Sequence, residues 1–232
     1  MPRTTGLTSA AGALRYWERR QEVVAHNLAN VSTDGFKGER VFARLLGDAT
    51  PAAQTATDTR AGTLRQTQNP LDLAIAGDGY LVVQTPAGER FSRGGALALD
   101  AGRRLVDPAG HPVLGEQGAI TVPEGAVLTV SPAGDLRMDG RPVARLRLER
   151  VPPGTPLAHE GGTLLVPDGA RQSIPPAERQ LRQGAVEESN VSPISALVEM
   201  IGVQRAYASV QKAVTTLDAV RGTAATDLGK PV

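Results

Sequence analysis

The run from Pro193 to Arg221, PISALVEMIGVQRAYASVQKAVTTLDAVR, constrains this chain more than any other stretch. Apolar side chains recur there at alternating steps of four and three: Ala196, Met200, Val203, Tyr207, Val210, Val214 and Leu217. Seven matches over three heptads put one narrow seam on a helix, with the period that a coiled coil needs. Ser192 is placed to cap that helix, Pro193 suits its first position, and Gly222 follows the last periodic turn as an expected stop. One seam cannot bury itself, so the helix needs a partner in this chain, in other copies, or in both.

A candidate partner stands at the other end. Leu7, Ala10, Leu14, Trp17, Gln21, Val24, Leu28 and Val31 fall at three-four spacing, and only Gln21 interrupts the apolar series. Thr5 or Thr8 suits the start of this helix, and Asp34-Gly35 reads as its stop. Each helix packing separately on a central domain is the plainer alternative. Matched seams at both termini favour packing on each other.

The chain between them has a different grain. Residues 36–70 show no sustained period and pass into a polar Thr/Ala/Gln/Asp run, which reads as an extended, weakly structured connector. From residue 71 the pattern is β. Leu71, Leu73 and Ile75 alternate with Asp72, Ala74 and Ala76, then Gly77-Asp78-Gly79 breaks the run before Tyr80-Leu81-Val82-Val83. Pro-Ala-Gly occurs at 86–88, 108–110 and 132–134, each time between short apolar runs, as hairpin turns do. Val143–Leu148 offers another alternating strand. Sixteen Gly and ten Pro lie between 77 and 169, against one of each between 193 and 221, which separates a β-meander from the terminal helices. The expected class is α+β, with paired N- and C-terminal heptad, coiled-coil-like helices flanking a central antiparallel β-rich domain. The expected divisions are an N-terminal axial helix at 1–35, the connector at 36–70, a β-rich outer domain at 71–188, and a C-terminal axial helix and tail at 189–232.

Composition excludes several functions. With 25 basic and 24 acidic residues the surface is no polyelectrolyte for nucleic acid. No cysteine is present, so neither disulfides nor thiolate metal sites enter, and 3 % aromatic content is low for a stacking-based binder. The N-terminal residues lack the apolar core of a secretory signal, so departure from the cytoplasm would use a route without a cleaved signal. His26, His111 and His159 show no ligand spacing, and Gly77-x-Gly79 lies between strands rather than before a helix, unlike a phosphate loop. Most of the Asp residues from 72 to 139 occupy turn positions, where they bond backbone. No catalytic, cofactor or metal site is expected, and no small-molecule substrate.

Five motifs in order carry a resemblance. Ala25-His26-Asn27-Leu28-Ala29-Asn30-Val31-Ser32-Thr33-Asp34-Gly35-Phe36-Lys37 resembles the N-terminal signature of bacterial flagellar rod and hook proteins. Leu71-Asp72-Leu73-Ala74-Ile75-Ala76-Gly77-Asp78-Gly79-Tyr80 is similar to the family's second motif, and Phe91-Ser92-Arg93-Gly94-Gly95 to the element that follows it. Ser189-Asn190-Val191 and Gln204-Arg205-Ala206-Tyr207 resemble its C-terminal elements. His26 stands where the family has Asn, and Leu81 and Leu97 replace commoner aromatics. The resemblance implies terminal helices that pack with those of other copies into an axial tube, a β domain outside it, and passage unfolded through the flagellar type III export apparatus. Implied partners are copies of the chain, other rod proteins, and hook-side or ring proteins. The assembly seam would comprise Leu7, Leu14, Trp17, Val24 and Leu28 with Met200, Val203, Tyr207, Val210, Val214 and Leu217. The short stretch between Lys37 and Leu71 and the C-terminal sequence resemble the proximal rod type more than the distal.

Two other classes compete with a torque-transmitting rod subunit: a secreted β-domain binding module oligomerised by its helices, and a cell-wall enzyme using a carboxylate pair. A binding module forms closed oligomers of fixed size, and a rod subunit forms open-ended tubes or stays monomeric until nucleated. Carbohydrate turnover marks the enzyme.

Overall fold

In a computed structural model both periodic ends are helical: α1 spans Thr5–Ala29 and α2 spans Pro193–Leu228. The structure describes the backbone of residues 5–45 and 51–228, and side chains within 9–43 and 53–223. These residues sort into two compact units. The first holds the chain up to Ala29, Glu39–Thr55 and the chain from Pro193; the second holds Asn30–Gly38 and Ala56–Ser192.

In the first unit α1 packs against α2. The expected α2 seam is its covered side. Ala196 and Val203 are buried, Met200, Tyr207, Val210 and Val214 are half-buried, and Leu217 is exposed. On α1, Val24 is buried and Leu14, Trp17, Gln21 and Leu28 are half-buried, while the side chain of Leu7 lies outside the described residues. Val23 is buried as well, so the covered stripe of α1 is wider than a strict seam. α1 ends at Ala29, before Val31 and ahead of the expected stop. α2 continues through Gly222 to Leu228. A glycine costs a helix interior about 1 kcal/mol relative to alanine, too little to end one that continues into Thr-Ala-Ala.

The second unit is built on a six-stranded antiparallel sheet. Its spatial order is Leu157–Gly161, Leu164–Pro167, Gly88–Ser92, Tyr80–Thr85, Leu148–Arg150 and Gln172–Ser173. Strand Tyr80–Thr85 shows why it sits centrally. Leu81 and Val83 enter one apolar cluster with Leu73, Ile75, Leu105, Val113, Leu136 and Leu148, and Tyr80 and Val82 enter another with Phe91, Leu157 and Leu165. Period 2 sends alternate residues to opposite faces, and both faces are buried.

Smaller antiparallel pieces close the unit. Leu128–Val130, Asp135–Met138 and Arg141–Arg145 form a three-stranded sheet; Leu73–Ile75 pairs with Leu181–Gln183. Pro-Ala-Gly at 86–88 and 132–134 turns hairpins, and at 108–110 it lies in a turn in which Gly110 N–H donates to Asp107 O. Three expectations change. Residues 36–70 carry strands: Glu39–Leu45 pairs with Pro51–Thr57, and Leu64–Gln66 pairs with Ala185–Glu187. Leu73–Ile75 is buried at all three positions rather than at alternate ones: Leu73 and Ile75 enter the larger apolar cluster, and Ala74, on the opposite face, is buried as well. Val143–Leu148 is not one strand, since the chain changes sheets between Arg145 and Leu148. The architecture is α+β, two helices flanking an antiparallel β-rich region.

Candidate functional site: a buried motif cluster and the faces of α2

In the second unit four of the five sequence motifs meet around one carboxylate. Glu187 is fully buried, with Lys37 and Arg93 buried beside it. Lys37 Nζ donates to Glu187 Oε1 at 2.5 Å and to the Arg60 carbonyl at 2.7 Å. Arg93 Nη1 donates to Glu187 Oε2 at 3.0 Å and to the Ile75 carbonyl at 3.0 Å, and Nη2 donates to the Gly77 carbonyl at 2.8 Å. Gly62 N–H adds a third donor to the carboxylate at 2.8 Å. Two cations and one anion share this dry site, which is tolerable only because nearly every polar atom is bonded. Burial pulls the Lys37 ammonium below the ordinary lysine value, with Glu187 opposing. The Arg93 guanidinium also lies over the Tyr80 ring at 5.3 Å, and Tyr80 stacks on Phe91.

One motif glycine serves this cluster by close approach. Gly35 has φ +75°, donates its N–H to the Glu187 carbonyl at 2.5 Å, and lies so near Arg93 and Gly94 that a Cβ would sit 2.2 Å from their backbone. Gly79, at φ +109°, faces the Ile174 side chain. Thr33 donates to Asn30 through both its N–H and its hydroxyl. Asn190 links three segments: its Oδ1 accepts from Gly38 N–H at 2.8 Å, and its Nδ2 donates to the carbonyls of Asp58 and Arg60 at 2.8 and 3.0 Å. Ser189 Oγ accepts from Val191 N–H. Asp72 is buried and accepts from Asn69 Nδ2, Ala74 is buried, and Leu71 packs on the core. Phe36 is fully buried.

The remaining motif residues lie in the first unit. Asn27 bonds both backbone polar groups of Glu39, at 2.8 and 2.9 Å. Leu28 is half-buried and Ala29 exposed. Tyr207 donates its hydroxyl to Glu18 at 3.0 Å, which pushes the phenol above its ordinary value. Gln204 and Arg205 are exposed, and Ala206 is half-buried. Arg20 makes two bonds to Glu199, at 3.0 and 2.8 Å.

α2 has a second apolar face that the heptad pattern does not mark. Ile194 is 76 % exposed, Leu197 50 %, Val198 66 % and Ile201 51 %. Steps of three, one and three place them on one side of the first turns. Glu187 and this stripe were both missed by sequence reasoning. A charged residue gives no local sign of burial, and the stripe is too short to stand out beside a seam of seven.

Clefts of about 500 and 440 Å3 indent the second unit. The larger is lined by Asp34, Asp107, His111, Glu160 and apolar neighbours. Its acids are engaged: Asp34 with Arg65, Asp107 with His111 and two backbone N–H groups, Glu160 with Arg90. Among the described residues no group of three or more His, Cys, Asp or Glu is arranged to hold a metal ion.

Comparison with known proteins covers both ends and the β region. Family models match at residues 7–37 (flagella basal body rod protein), 74–138 (flagellar hook protein FlgE/F/G D1 domain) and 182–227 (flagellar basal body rod FlgEFG protein C-terminal). The flagellar basal-body rod protein FlgF of Salmonella typhimurium is 34 % identical over 248 residues, spanning 93 % of this chain and 95 % of that protein. FlgF of Escherichia coli is 32 % identical, spanning 90 % of this chain and 92 % of its own length. The rod protein FlgG of Caulobacter vibrioides is 29 % identical, spanning 91 % and 95 %.

Proposed function

This chain belongs to the flagellar basal-body rod proteins, of the FlgF type, and from that premise we propose that it assembles with copies of itself and with other rod or hook-family subunits through the outer face of α2. It is a structural subunit of the basal body and not an enzyme. One observation carries the assembly reading. The inner side of α2 is already covered within the chain, while Ile194, Leu197, Val198 and Ile201 stand exposed beside it. Burying such side chains contributes roughly 1.5–3 kcal/mol each, before the cost of association. Val210 and Val214, half-buried, and Leu217, exposed, extend the available surface along the seam.

The finer reading is that α1 and α2 pair in coiled-coil fashion, supported by burial at Ala196, Val203 and Val24. Rigid helix packing of this kind transmits torque. Neighbours in the stack are rod and hook-family subunits, and the unfolded chain travels through the flagellar export apparatus.

Paired substitutions test the faces. Ile201→Asp should leave helix content and melting of the purified protein unchanged and permit secretion, yet block incorporation into basal bodies and swimming. Val203→Asp, at a buried position, should loosen the helix pair in the free protein itself. Normal swimming by Ile201→Asp would remove the outer face from the assembly.

A further inference from the structure

We propose that residues 33–38 are a closing strap, and that Glu187 couples docking of this strap to pairing of Leu64–Gln66 with Ala185–Glu187, giving the second unit a strap-closed and a strap-open form. The partners of the strap are unusual. Its bonds run to Asn30 and to segments 58–65 and 187–190, and it touches the body only where Gly35 approaches the backbone of Arg93 and Gly94 and where the Phe36 ring lies 5.4 Å from that of His159. Gly35 N–H reaches the Glu187 carbonyl, Asp58 N–H reaches the Gly38 carbonyl, and Asn190 N–H reaches the Phe36 carbonyl. Segments 62–66 and 185–188 in turn hold each other through their ladder and through Glu188 N–H to the Thr63 carbonyl. None of these three segments is a strand of the six-stranded sheet. They are bonded to one another, and the sheet has its own two apolar clusters.

The carboxylate makes the coupling all-or-none. Its donors come from each side: Lys37 on the strap, Gly62 beside the ladder, and Arg93 on the body. Half-docking would strand a charge in a dry site, which is costlier than either the fully bonded closed form or a hydrated open one. Asn30 follows directly on the last residue of α1, and Ser192 directly precedes the first of α2. The closed form therefore fixes the segments that lead to both helices, and strap docking gates assembly. That last step rests on the assembly reading above; the strap itself does not.

Hydrogen exchange on the free, full-length protein separates the two. Glu187→Gln keeps the shape but leaves two buried cations facing each other. It should reduce protection of the Gly35, Gly38, Gly62, Glu188 and Asn190 amides at least about a hundredfold, while Val82, Val83 and Phe91 change by no more than about threefold. Adding Lys37→Met should restore protection in the Glu187→Gln background and reduce it in the wild-type background, a reversal that simple loss of packing does not produce. Equal loss at the strap and in the sheet would overturn the proposal, as would unchanged strap protection. If Glu187→Gln fails to fold, Lys37→Met alone gives the same local-against-global comparison. A positive exchange result with normal swimming in Glu187→Gln would refute the gate and leave the strap standing.

Discussion

Replacing Gly35 with alanine isolates the close approach on which the motif cluster depends. The backbone there has φ +75°, and an added Cβ would lie 2.2 Å from Arg93 C and Gly94 N and 2.4 Å from Arg93 O. All three are backbone atoms, so no side chain can swing away. Ordinary contact begins near 3.4 Å, and the strap must retreat by more than 1 Å. Such a retreat breaks the 2.5 Å bond from Gly35 N–H to the Glu187 carbonyl. Left-handed strain on a residue with a Cβ costs roughly 1–2 kcal/mol, and a buried bond lost with its partner left unpaired roughly 1–3 kcal/mol. The alanine gains back about 0.4–1 kcal/mol by stiffening the unfolded chain. The net is a destabilisation of about 3 kcal/mol. Gly110 supplies the control. Its φ is +88°, yet nothing lies within 4 Å of where a Cβ would stand, so Gly110→Ala meets the strain alone. Urea unfolding followed by circular dichroism should place Gly110→Ala within about 1.5 kcal/mol of wild type, and Gly35→Ala about 2 kcal/mol below that variant. Equal midpoints for the two would refute the reasoning, because φ would then account for everything and the contact with Arg93 for nothing.

Two further outcomes follow from named contacts. A fragment of residues 71–188 keeps Glu187 and Arg93 but lacks Lys37, Gly62 and Asn190, so it should melt at lower temperature or without cooperativity beside a fragment of residues 30–192; equal melting would show the strap to be dispensable. Glu89 is held below its ordinary value of 4.5 by hydrogen bonds from Arg147, with Arg171 adding to the effect. Its lowered value means that it stabilises the fold above pH 4.5 and loses that contribution as pH falls through the folded value, so Glu89→Gln should flatten the acid limb of a stability-pH curve measured by urea unfolding.

What was legible in the sequence was local. The α2 seam reports burial faithfully at Ala196 and Val203, because helical period depends only on neighbours three and four residues away. Tyr80–Val83 and the Pro-Ala-Gly turns were readable for the same reason. Strand Leu64–Gln66 was not: its partner Ala185–Glu187 lies about 120 residues away, and three residues hold too little alternation to signal a ladder. The charged cluster is harder still. Lys37 and Arg93 came to notice only through the resemblance of their motifs, and Glu187 did not come to notice, since composition places charges at the surface unless a partner is seen. Gly222 was read as a stop by its type, yet the residues after it were free to continue the helix.

The burial of Phe36, Lys37, Arg93 and Glu187 also divides the chain's recognition signals into two addresses. A neighbouring subunit cannot touch these side chains, so they tell the polypeptide how to fold and say nothing to a neighbour about whom it has met. In the assembly proposed above, what tells one subunit from another has to be written where a neighbour can read it, in exposed residues such as Ile194, Val198, Gln204 and Arg205. Two subunits can then match closely in their signatures and still be sorted apart.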